Sequence, residues 1–502
     1  MIVILNFMFS RFLILIFFLA SHQGAEIYKR YCASCHGEEK LGGNASPLIF
    51  IDSQIVKKIL QDGLMPFMPS FNFSQKELDE LIKYIQEIPS FEGESDYFKK
   101  VNVKSAIKIN PEDATVLVQK DAGIYVLKDS DFFDSVSISK IHGGVKFSEQ
   151  GVFALSKSGD LVKYPFGGGE VQKIKLCSWA RNLVISHKEN LIYVLCLLPQ
   201  KLVLLDEKDL KVVDEIKLDK RPVGIFSFKQ KILAITRSGE IFDPKERNSV
   251  NKLGVFVKSF CVSPFSDMLI IGSDKNIYFY DGKRFVFSYK LTNPSNFHFF
   301  SCEFWYNGDF VSAVPLSNTV IFFKMYDWQV LKEISFDKPV LFIRTHPETN
   351  YLWISDGQKI YLINKFTFEK GKVFDGIHAG FSPCGDFAFV SGKNNISVLN
   401  PKTFETLKIL PVEKPLGKYN FFEEILQSGL LGWDIYRVKC WGCHHQSKMA
   451  FGPPLNLTSR DKLLKQIEHP NLMPDLKLSK SEISALADFL DVLKRCSARK
   501  DF

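Results

Sequence analysis

The region between about residues 101 and 420 consists of short apolar runs separated by polar turns. Apolar and polar positions alternate as in β-strands, and no convincing helical pattern interrupts them. One unit recurs: an apolar strand, a short polar turn and a second strand, as in LVLLDEKDLKVVDEIKL. Its copies begin at Ile124, Leu161, Leu202, Glu240, Ile277, Val320, Ile360 and Ile396. Eight strand-only units spaced 36 to 43 residues apart predict an eight-bladed β-propeller.

Helical patterns flank the strand-rich region on both sides. Ser74 and Glu77 form a capping-box pattern at the start of an amphipathic segment. Ser479 and Glu482 open a last helix near the other end of the chain in the same way. We therefore predict a mostly β protein with two small α domains.

The composition is that of a globular protein of several domains. The chain has 502 residues, of which 46% are hydrophobic and 24% charged, so it is too long for one ordinary core. The net charge of +8 is spread along the chain and forms no basic block. This argues against nucleic acid as a partner and is compatible with small anionic ligands.

The N-terminus has the features of an export signal. Arg11 precedes the apolar run Phe12–Ala20, which is too short to span a bilayer but fits a signal-peptide core. We predict a cleaved signal over residues 1–22 and a periplasmic protein. The alternative is an uncleaved membrane anchor formed by Ile2–Ala20.

Two C-x-x-C-H motifs indicate covalent haem. Two thiols at this spacing can add to the two vinyl groups of a porphyrin, and the adjacent histidine then ligates the iron. A zinc or redox C-x-x-C pair is the alternative, but two such motifs behind an export signal favour haem c. The predicted attachment cysteines are Cys32, Cys35, Cys440 and Cys443, and the predicted proximal ligands are His36 and His444. The remaining six cysteines are scattered and predict no pairing.

Methionine-proline pairs downstream of both motifs supply candidate distal ligands. Met68 lies 32 residues after the first motif histidine, and Met473 lies 29 residues after the second. Met65 is an alternative to Met68, and a core methionine is the alternative for Met473. Histidine-methionine ligation raises the haem potential and suits electron transfer. We predict cytochrome c domains at 23–92 and 424–496.

The chain resembles the cytochrome cd1 family, whose members carry haem d1 in an eight-bladed propeller beside a cytochrome c domain. KIHGGVKFSEQGVFALSKSGDLVKY resembles the segment with the proximal haem d1 ligand, which implies that role for His142. WARNLVIS resembles the basic segment near the haem carboxylates and implies Arg181 there. Because haem d1 carries several carboxylates, its pocket must be basic, and Arg237 and Lys157 are the next candidates after Arg181. LFIRTHPETNYLW and FHFFSCEF resemble segments of the distal pocket and imply His346 and His298.

The resemblance implies a nitrite reductase that forms nitric oxide at haem d1. In the family two distal histidines hold the anion and supply protons, and the reaction consumes one electron and two protons. His298 and His346 would be these catalytic residues. We take this activity as the first hypothesis, with nitrite as the substrate and periplasmic electron-transfer proteins as partners. A homodimer is possible, since haem d1 proteins of this kind are often dimers.

Several departures support a second hypothesis. The segment around His298 lacks the acidic and glycine residues expected after the histidine, and the propeller units carry no long insertions. GIHAGFSPCGDFAFVS places His378 where relatives that handle haem d1 in its biosynthesis have a further histidine. In the related dehydrogenase of dihydro-haem d1 this histidine occupies the distal axial position. Haem d1 would then be made from a bound tetrapyrrole substrate, and the c haems would remove the electrons.

A third hypothesis is a non-enzymatic dihaem electron carrier with a propeller that acts as a binding scaffold. The second cytochrome module lies outside the usual two-domain plan of the family and resembles a fused electron-transfer partner. Because fusion raises the effective concentration of a donor or an acceptor alike, it does not distinguish the direction of electron flow.

Overall fold

A computed structural model describes most of the chain. The described residues are 23–64, 68–89, 97–263, 268–291, 302–306, 309–325, 327–346, 349–421, 435–444, 451–455 and 458–478, with single positions at 483, 486, 487, 490 and 494. The predictions on residues 1–22, Met65, His298, Ser479 and Glu482 lie outside these ranges. Within the described ranges, no helix combines the length and the apolar character needed to cross a membrane.

The predicted eight-bladed propeller is confirmed. The described strands form eight antiparallel sheets, and neighbouring sheets contact each other through their first strands, which therefore line the axis. These inner strands are β5 (Ile141–Ser148), β9 (Trp179–Ser186), β13 (Pro222–Phe228), β17 (Ser259–Val262), β21 (Cys302–Tyr306), β25 (Phe342–Arg344), β29 (His378–Phe381) and β33 (Pro415–Asn420).

The other strands follow outward in each blade. The second strands are β2 (Ala114–Gln119), β6 (Gly151–Ser156), β10 (Leu191–Leu198), β14 (Lys231–Thr236), β18 (Leu269–Gly272), β22 (Asp309–Leu316), β26 (Tyr351–Ser355) and β30 (Ala388–Ser391). The third strands are β3 (Gly123–Lys128), β7 (Asp160–Pro165), β11 (Gln200–Asp206), β15 (Glu240–Asp243), β19 (Asn276–Tyr280), β23 (Thr319–Lys324), β27 (Lys359–Asn364) and β31 (Ile396–Leu399). The fourth strands are β4 (Asp131–Ser137), β8 (Gly169–Lys175), β12 (Val212–Lys217), β16 (Asn248–Lys252), β20 (Phe285–Lys290), β24 (Val330–Ser335), β28 (Lys370–Asp375) and β32 (Thr406–Leu410).

The sequence repeat corresponds to the outer half of each blade. All eight unit starts fall on third strands, and the second strand of each unit is the fourth strand. Third strands such as β11 are mostly buried between neighbouring blades, whereas fourth strands such as β12 are largely exposed. The repeat therefore marks the outer half of the scaffold and not the inner strands that line the axis.

Two strand pairings go beyond the repeat. The inner strand β33 pairs with β2, so the two ends of the propeller segment share one sheet and close the ring. A short 3₁₀ turn, Pro111–Asp113, leads into β2. The strand β1 (Lys100–Ala106) adds to the outer edge of β8.

A disulfide between Cys177 and Cys196, which the sequence did not predict, links the residues just before β9 to β10.

The N-terminal module is helical, as predicted. Its helices are α1 (residues 23–31), α2 (Ala33–His36), α3 (Ser53–Asp62) and α4 (Gln75–Gln86). The predicted capping box is present at α4, where Ser74 accepts from the Glu77 amide and Glu77 accepts from the Ser74 amide. The apolar faces of α3 and α4 pack with α1 and α2 around one small core.

The C-terminal segment contains a π-helical turn, Tyr436–Cys440, and a helix, α5 (Arg460–Glu468). Buried residues of this segment, including Tyr436 and Leu463, belong to the hydrophobic cluster that also contains Val126 and Val152 of the propeller. The predicted second cytochrome c domain at 424–496 stays a prediction.

Candidate functional site: two C-x-x-C-H motifs and one end of the propeller axis

The first C-x-x-C-H motif is arranged as a haem c site. His36 Nδ1 donates to the Ser46 carbonyl at 2.8 Å, which fixes the ring and leaves Nε2 available for an iron ion. Burial lowers the pKa of His36, which favours the neutral, ligating form. Cys32 is buried against the module core, and Cys35 is exposed. The residues present therefore fit a covalent haem.

Met68 is placed on the same core. Its side chain is half-buried and packs against the cluster that contains Cys32. The backbone groups of Met68 and Leu64 exchange hydrogen bonds of 2.7 and 3.1 Å, which close the loop before α4. Gly63 has a φ of +74°, and a Cβ there would lie 2.9 Å from the Ser70 amide, so this tight loop requires glycine. The loop geometry suits Met68 as the distal ligand that the sequence predicts.

The second motif repeats the arrangement of the first. His444 Nδ1 donates to the Pro453 carbonyl at 2.9 Å, again leaving Nε2 available. Cys440 is buried and Cys443 is exposed, as in the first motif. A Cβ on Gly452 would lie 2.2 Å from the His444 ring, so the ring occupies its position because residue 452 is glycine. Met473 is half-buried in the segment that follows α5.

A tyrosine precedes both motifs and was not predicted as part of either. The Tyr28 hydroxyl donates to the Gly37 carbonyl at 2.6 Å, and the Tyr436 hydroxyl donates to the His444 carbonyl at 2.9 Å. Each tyrosine stands four residues before the first cysteine, so the pattern Y-x-x-x-C-x-x-C-H was visible in both sequences. The two hydroxyls hold the backbone at the proximal histidine in the same way.

His142 and Arg181 meet at the axis of the propeller. His142 lies on β5 in an irregular stretch between Ile141 and Val145. Arg181 on β9 donates from Nη1 to His142 Nε2 at 2.6 Å and from Nε to the Val223 carbonyl at 2.8 Å. Since a guanidinium only donates, His142 Nε2 is the acceptor and carries the lone pair. That lone pair suits an iron ligand, and Arg181 would have to release it when His142 ligates a tetrapyrrole iron.

Arg181 is one of three half-buried arginines at this end of the axis. The pKa of Arg221 is lowered to about 10 and that of Arg237 to about 9, in each case by burial first and by neighbouring arginines second. Arg237 donates to the carbonyls of Val257 and Lys258 at 2.8 and 2.6 Å. Arg221 was not among the predicted residues, although it directly precedes an inner strand, as Lys140 precedes β5. These cations suit carboxylate groups of a ligand.

His378 stands at the same end of the axis. It is the buried first residue of β29, and its ring meets Phe342 edge-on, with the ring centroids 4.7 Å apart. The side-chain nitrogen of Lys418, on β33, lies within hydrogen-bond distance of the carbonyls of His378 at 3.0 Å and of Leu416 at 3.2 Å, and of the Ser391 hydroxyl. It lies 3.5 Å from His378 Nδ1. Burial, then Lys418 and Arg344, hold the pKa of His378 well below its usual value, so the ring is neutral.

The strand between the two histidines connects them into one site. β33 lies between β29 and β5 around the axis, and Tyr419 on β33 lies against Gly144, two residues from His142. His142, Arg181, His378 and Lys418 therefore share one end of the inner strands, which we call the histidine end. Lys418 was not among the predicted residues, and the only feature that points to it is the burial of its neighbours.

His346 lies at the opposite end of the inner strands. It stands two residues after the end of β25, its ring is 5.8 Å from Phe381 at the end of β29, and its Nε2 donates to the Pro383 carbonyl at 2.9 Å. The first residue of β25, by contrast, meets His378. The structure thus does not bring His346 together with His142, because Thr345 and His346 lie beyond the far end of β25. Its role in a distal pocket stays a prediction that the geometry does not favour.

Comparisons with known proteins agree with both parts of this description. Residues 290–424 match the family model of the cytochrome D1 heme domain, and residues 20–85 match that of the cytochrome C oxidase, cbb3-type, subunit III. The resemblance to the cytochrome cd1 family is confirmed. The dihydro-heme d1 dehydrogenase of Pseudomonas aeruginosa is 26% identical over 467 residues, which are 80% of this chain and 94% of the relative.

A solved structure supports the same fold for this cytochrome cd1-like chain. The structure of the dihydro-heme d1 dehydrogenase NirN in complex with DHE aligns with a TM-score of 0.61 at 23% identity. The alignment covers 80% of this chain and all of that one. About one fifth of this chain therefore lies outside the shared architecture.

Proposed function

We propose that this protein is a haem d1-type oxidoreductase that dehydrogenates a dihydro-haem d1-like tetrapyrrole bound at the histidine end of the propeller. The observation that carries the proposal is the position of His378. This buried, neutral histidine shares the end of the axis with His142, whereas His346 does not. The relative of 26% identity has this activity by name, which supports the dehydrogenase over the predicted nitrite reductase.

The side chains at the histidine end suit such a substrate. A haem d1 tetrapyrrole carries several carboxylates, and Arg181, Arg237 and Lys157 can pair with them. His142 offers an Nε2 lone pair to the iron of the substrate. His378 would occupy the other axial side, as the resemblance implies, and would exclude a small anion such as nitrite.

The electron count agrees with two c haems. Removal of two hydrogens from the substrate releases two electrons and two protons, and each ferric c haem accepts one electron. The matching geometry of His36 and His444 supports a second covalent haem on Cys440 and Cys443. Two one-electron acceptors on one chain would take both electrons from one substrate molecule. A soluble electron-transfer protein would then reoxidise them.

The cellular location that we propose is the periplasm. The apolar leader supports export, and the disulfide between Cys177 and Cys196 suits an oxidising compartment. Covalent c haem agrees with this location.

The proposal is tested in two separate anaerobic reactions of the protein isolated with its c haems, one with dihydro-haem d1 and the oxidised protein and one with nitrite and the reduced, haem d1-loaded protein. Dihydro-haem d1 should be converted to haem d1 while the c-haem α-band appears. Nitrite given to the chemically reduced protein should yield no nitric oxide. Nitric oxide formation with haem d1 retained through turnover would instead establish the reductase.

A further inference from the structure

The N-terminal module is docked on the propeller through a loop that also holds the haem ligand. Arg221 donates from Nη2 to the Pro47 carbonyl at 2.5 Å and from Nη1 to the Ile49 carbonyl. Lys157 donates to the Asn44 carbonyl at 2.7 Å. Ile49 lies in one buried cluster with Trp179 of β9. The loop from Asn44 to Ile49 is thus held by propeller cations as well as by hydrogen bonds within its own module, such as that from the Ala45 amide to the Cys35 carbonyl at 2.7 Å.

The same loop sets the hydrogen bond of the proximal histidine. The Ser46 carbonyl, which accepts from His36 Nδ1, is directly followed by the Pro47 carbonyl that accepts from Arg221. Burial and Arg181 lower the pKa of Arg221 only to about 10, so Arg221 is charged at neutral pH. A half-buried cation therefore stands one peptide unit from the carbonyl that polarises His36.

A fixed positive charge near a haem stabilises the reduced iron relative to the oxidised iron, because reduction removes one positive charge from the site. The effect is larger in a buried environment, where water screens less. A cation that draws electron density from the loop carbonyls also weakens the donation of His36 to the iron.

We infer that Arg221 is a positioning residue through which the propeller raises the reduction potential of the N-terminal c haem and so makes this haem an electron acceptor. The direction of electron flow rests on the proposed dehydrogenase function, but the effect on the potential does not. The side chain belongs to the propeller and acts on the haem across the interface between the two parts.

The test is a potentiometric titration of the c haems in the full chain without any tetrapyrrole. In Arg221→Met one of the c-haem transitions should shift to a lower potential, and in Arg221→Lys, which keeps the charge, most of the shift should be absent. A Cys440→Ala, Cys443→Ala background, which keeps the first motif, assigns the transition. Should Arg221→Met fail to accumulate with its haem, Arg221→Gln serves as the second uncharged variant.

Asp274→Asn is the matched control for loosened docking. It removes the 2.7 Å ion pair between Lys58 of α3 and Asp274 of the propeller without removing a cation near His36. Loss of a negative charge can only raise a haem potential, so a downward shift in this variant too would assign the effect to loosened docking and overturn the inference. An unchanged potential in Arg221→Met would also overturn it. Failure of dihydro-haem d1 turnover, in contrast, would overturn the proposed function and leave this result intact.

Discussion

A buried histidine beside a buried lysine is present at both ends of the inner strands, but the histidine rings have different partners at the two ends. His378 and His346 are each 5% exposed, and each backbone carbonyl accepts a hydrogen bond from a buried lysine, Lys418 or Lys365. At the opposite end of the inner strands, which carries His346 and which we call the turn end, Lys365 also donates to the Thr349 carbonyl, and the His346 ring donates to the Pro383 carbonyl. Both side chains therefore hold the backbone that follows an inner strand. At the histidine end, Lys418 lies against the His378 ring itself. The two histidines are thus equally buried. The group that the imidazole contacts distinguishes the structural histidine from the candidate ligand.

The largest effect is expected from the change that removes the axial nitrogen at the histidine end. His142→Ala should weaken dihydro-haem d1 binding by more than about 100-fold, a loss of roughly 3 kcal/mol or more. Titration of the tetrapyrrole, followed by its visible bands, measures the affinity. The c-haem spectrum should be unchanged, and tight binding by the variant would show that the tetrapyrrole sits elsewhere.

The two lysines give the next contrast. Lys418→Met should weaken tetrapyrrole binding by about 10- to 100-fold, the range expected when a residue that orients a ligand is lost. Lys365→Met is the matched control, since it removes a buried lysine from the turn end. Equal losses in both variants would mean that Lys418 has only a general structural role.

His346→Ala should act on stability and not on the tetrapyrrole. Loss of the hydrogen bond to Pro383 leaves a buried carbonyl without that donor, at a cost of about 1–3 kcal/mol. Chemical denaturation of the chain measures this difference. A nitrite-dependent change in the bound tetrapyrrole that disappears in His346→Ala would contradict the structural role.

A smaller effect concerns pH. His378 is neutral when folded, while the unfolded chain binds a proton below about pH 6.5, so the unfolded state is favoured as the pH falls. The unfolding free energy should therefore decrease below that pH, and His378→Gln should remove up to about 1.4 kcal/mol per pH unit of this decrease. Denaturation of wild type and variant without tetrapyrrole at pH 5 and pH 7.5 compares the slopes. His187, whose pKa burial lowers to about 4, contributes equally to both proteins.

The sequence predicted the scaffold well because periodic patterns report burial. All eight unit starts mark third strands, since these strands are buried between blades in every copy. The C-x-x-C-H motifs were equally visible because covalent attachment requires fixed spacing. His142 and Arg181 were also predicted, and they do meet.

The missed features depend on how strands meet around the axis. Lys418 and Arg221 act on residues about 40 and 170 positions away, and no local pattern reveals such pairs. His346 was assigned to the pocket from its Thr-His-Pro segment. Whether a residue stands at the beginning or at the end of a strand depends on the strand boundaries, which the sequence does not give exactly. β25 is only three residues long: Phe342 at its beginning contacts His378 at the histidine end, whereas the chain after Arg344 lies at the other end.

The central claim is that the histidine end, and not the turn end, holds the tetrapyrrole. The most direct measurement is the visible spectrum of dihydro-haem d1 bound to wild type, His378→Ala and His346→Ala, recorded side by side. The account predicts altered tetrapyrrole bands in His378→Ala and wild-type bands in His346→Ala. Altered bands in His346→Ala with wild-type bands in His378→Ala would contradict it.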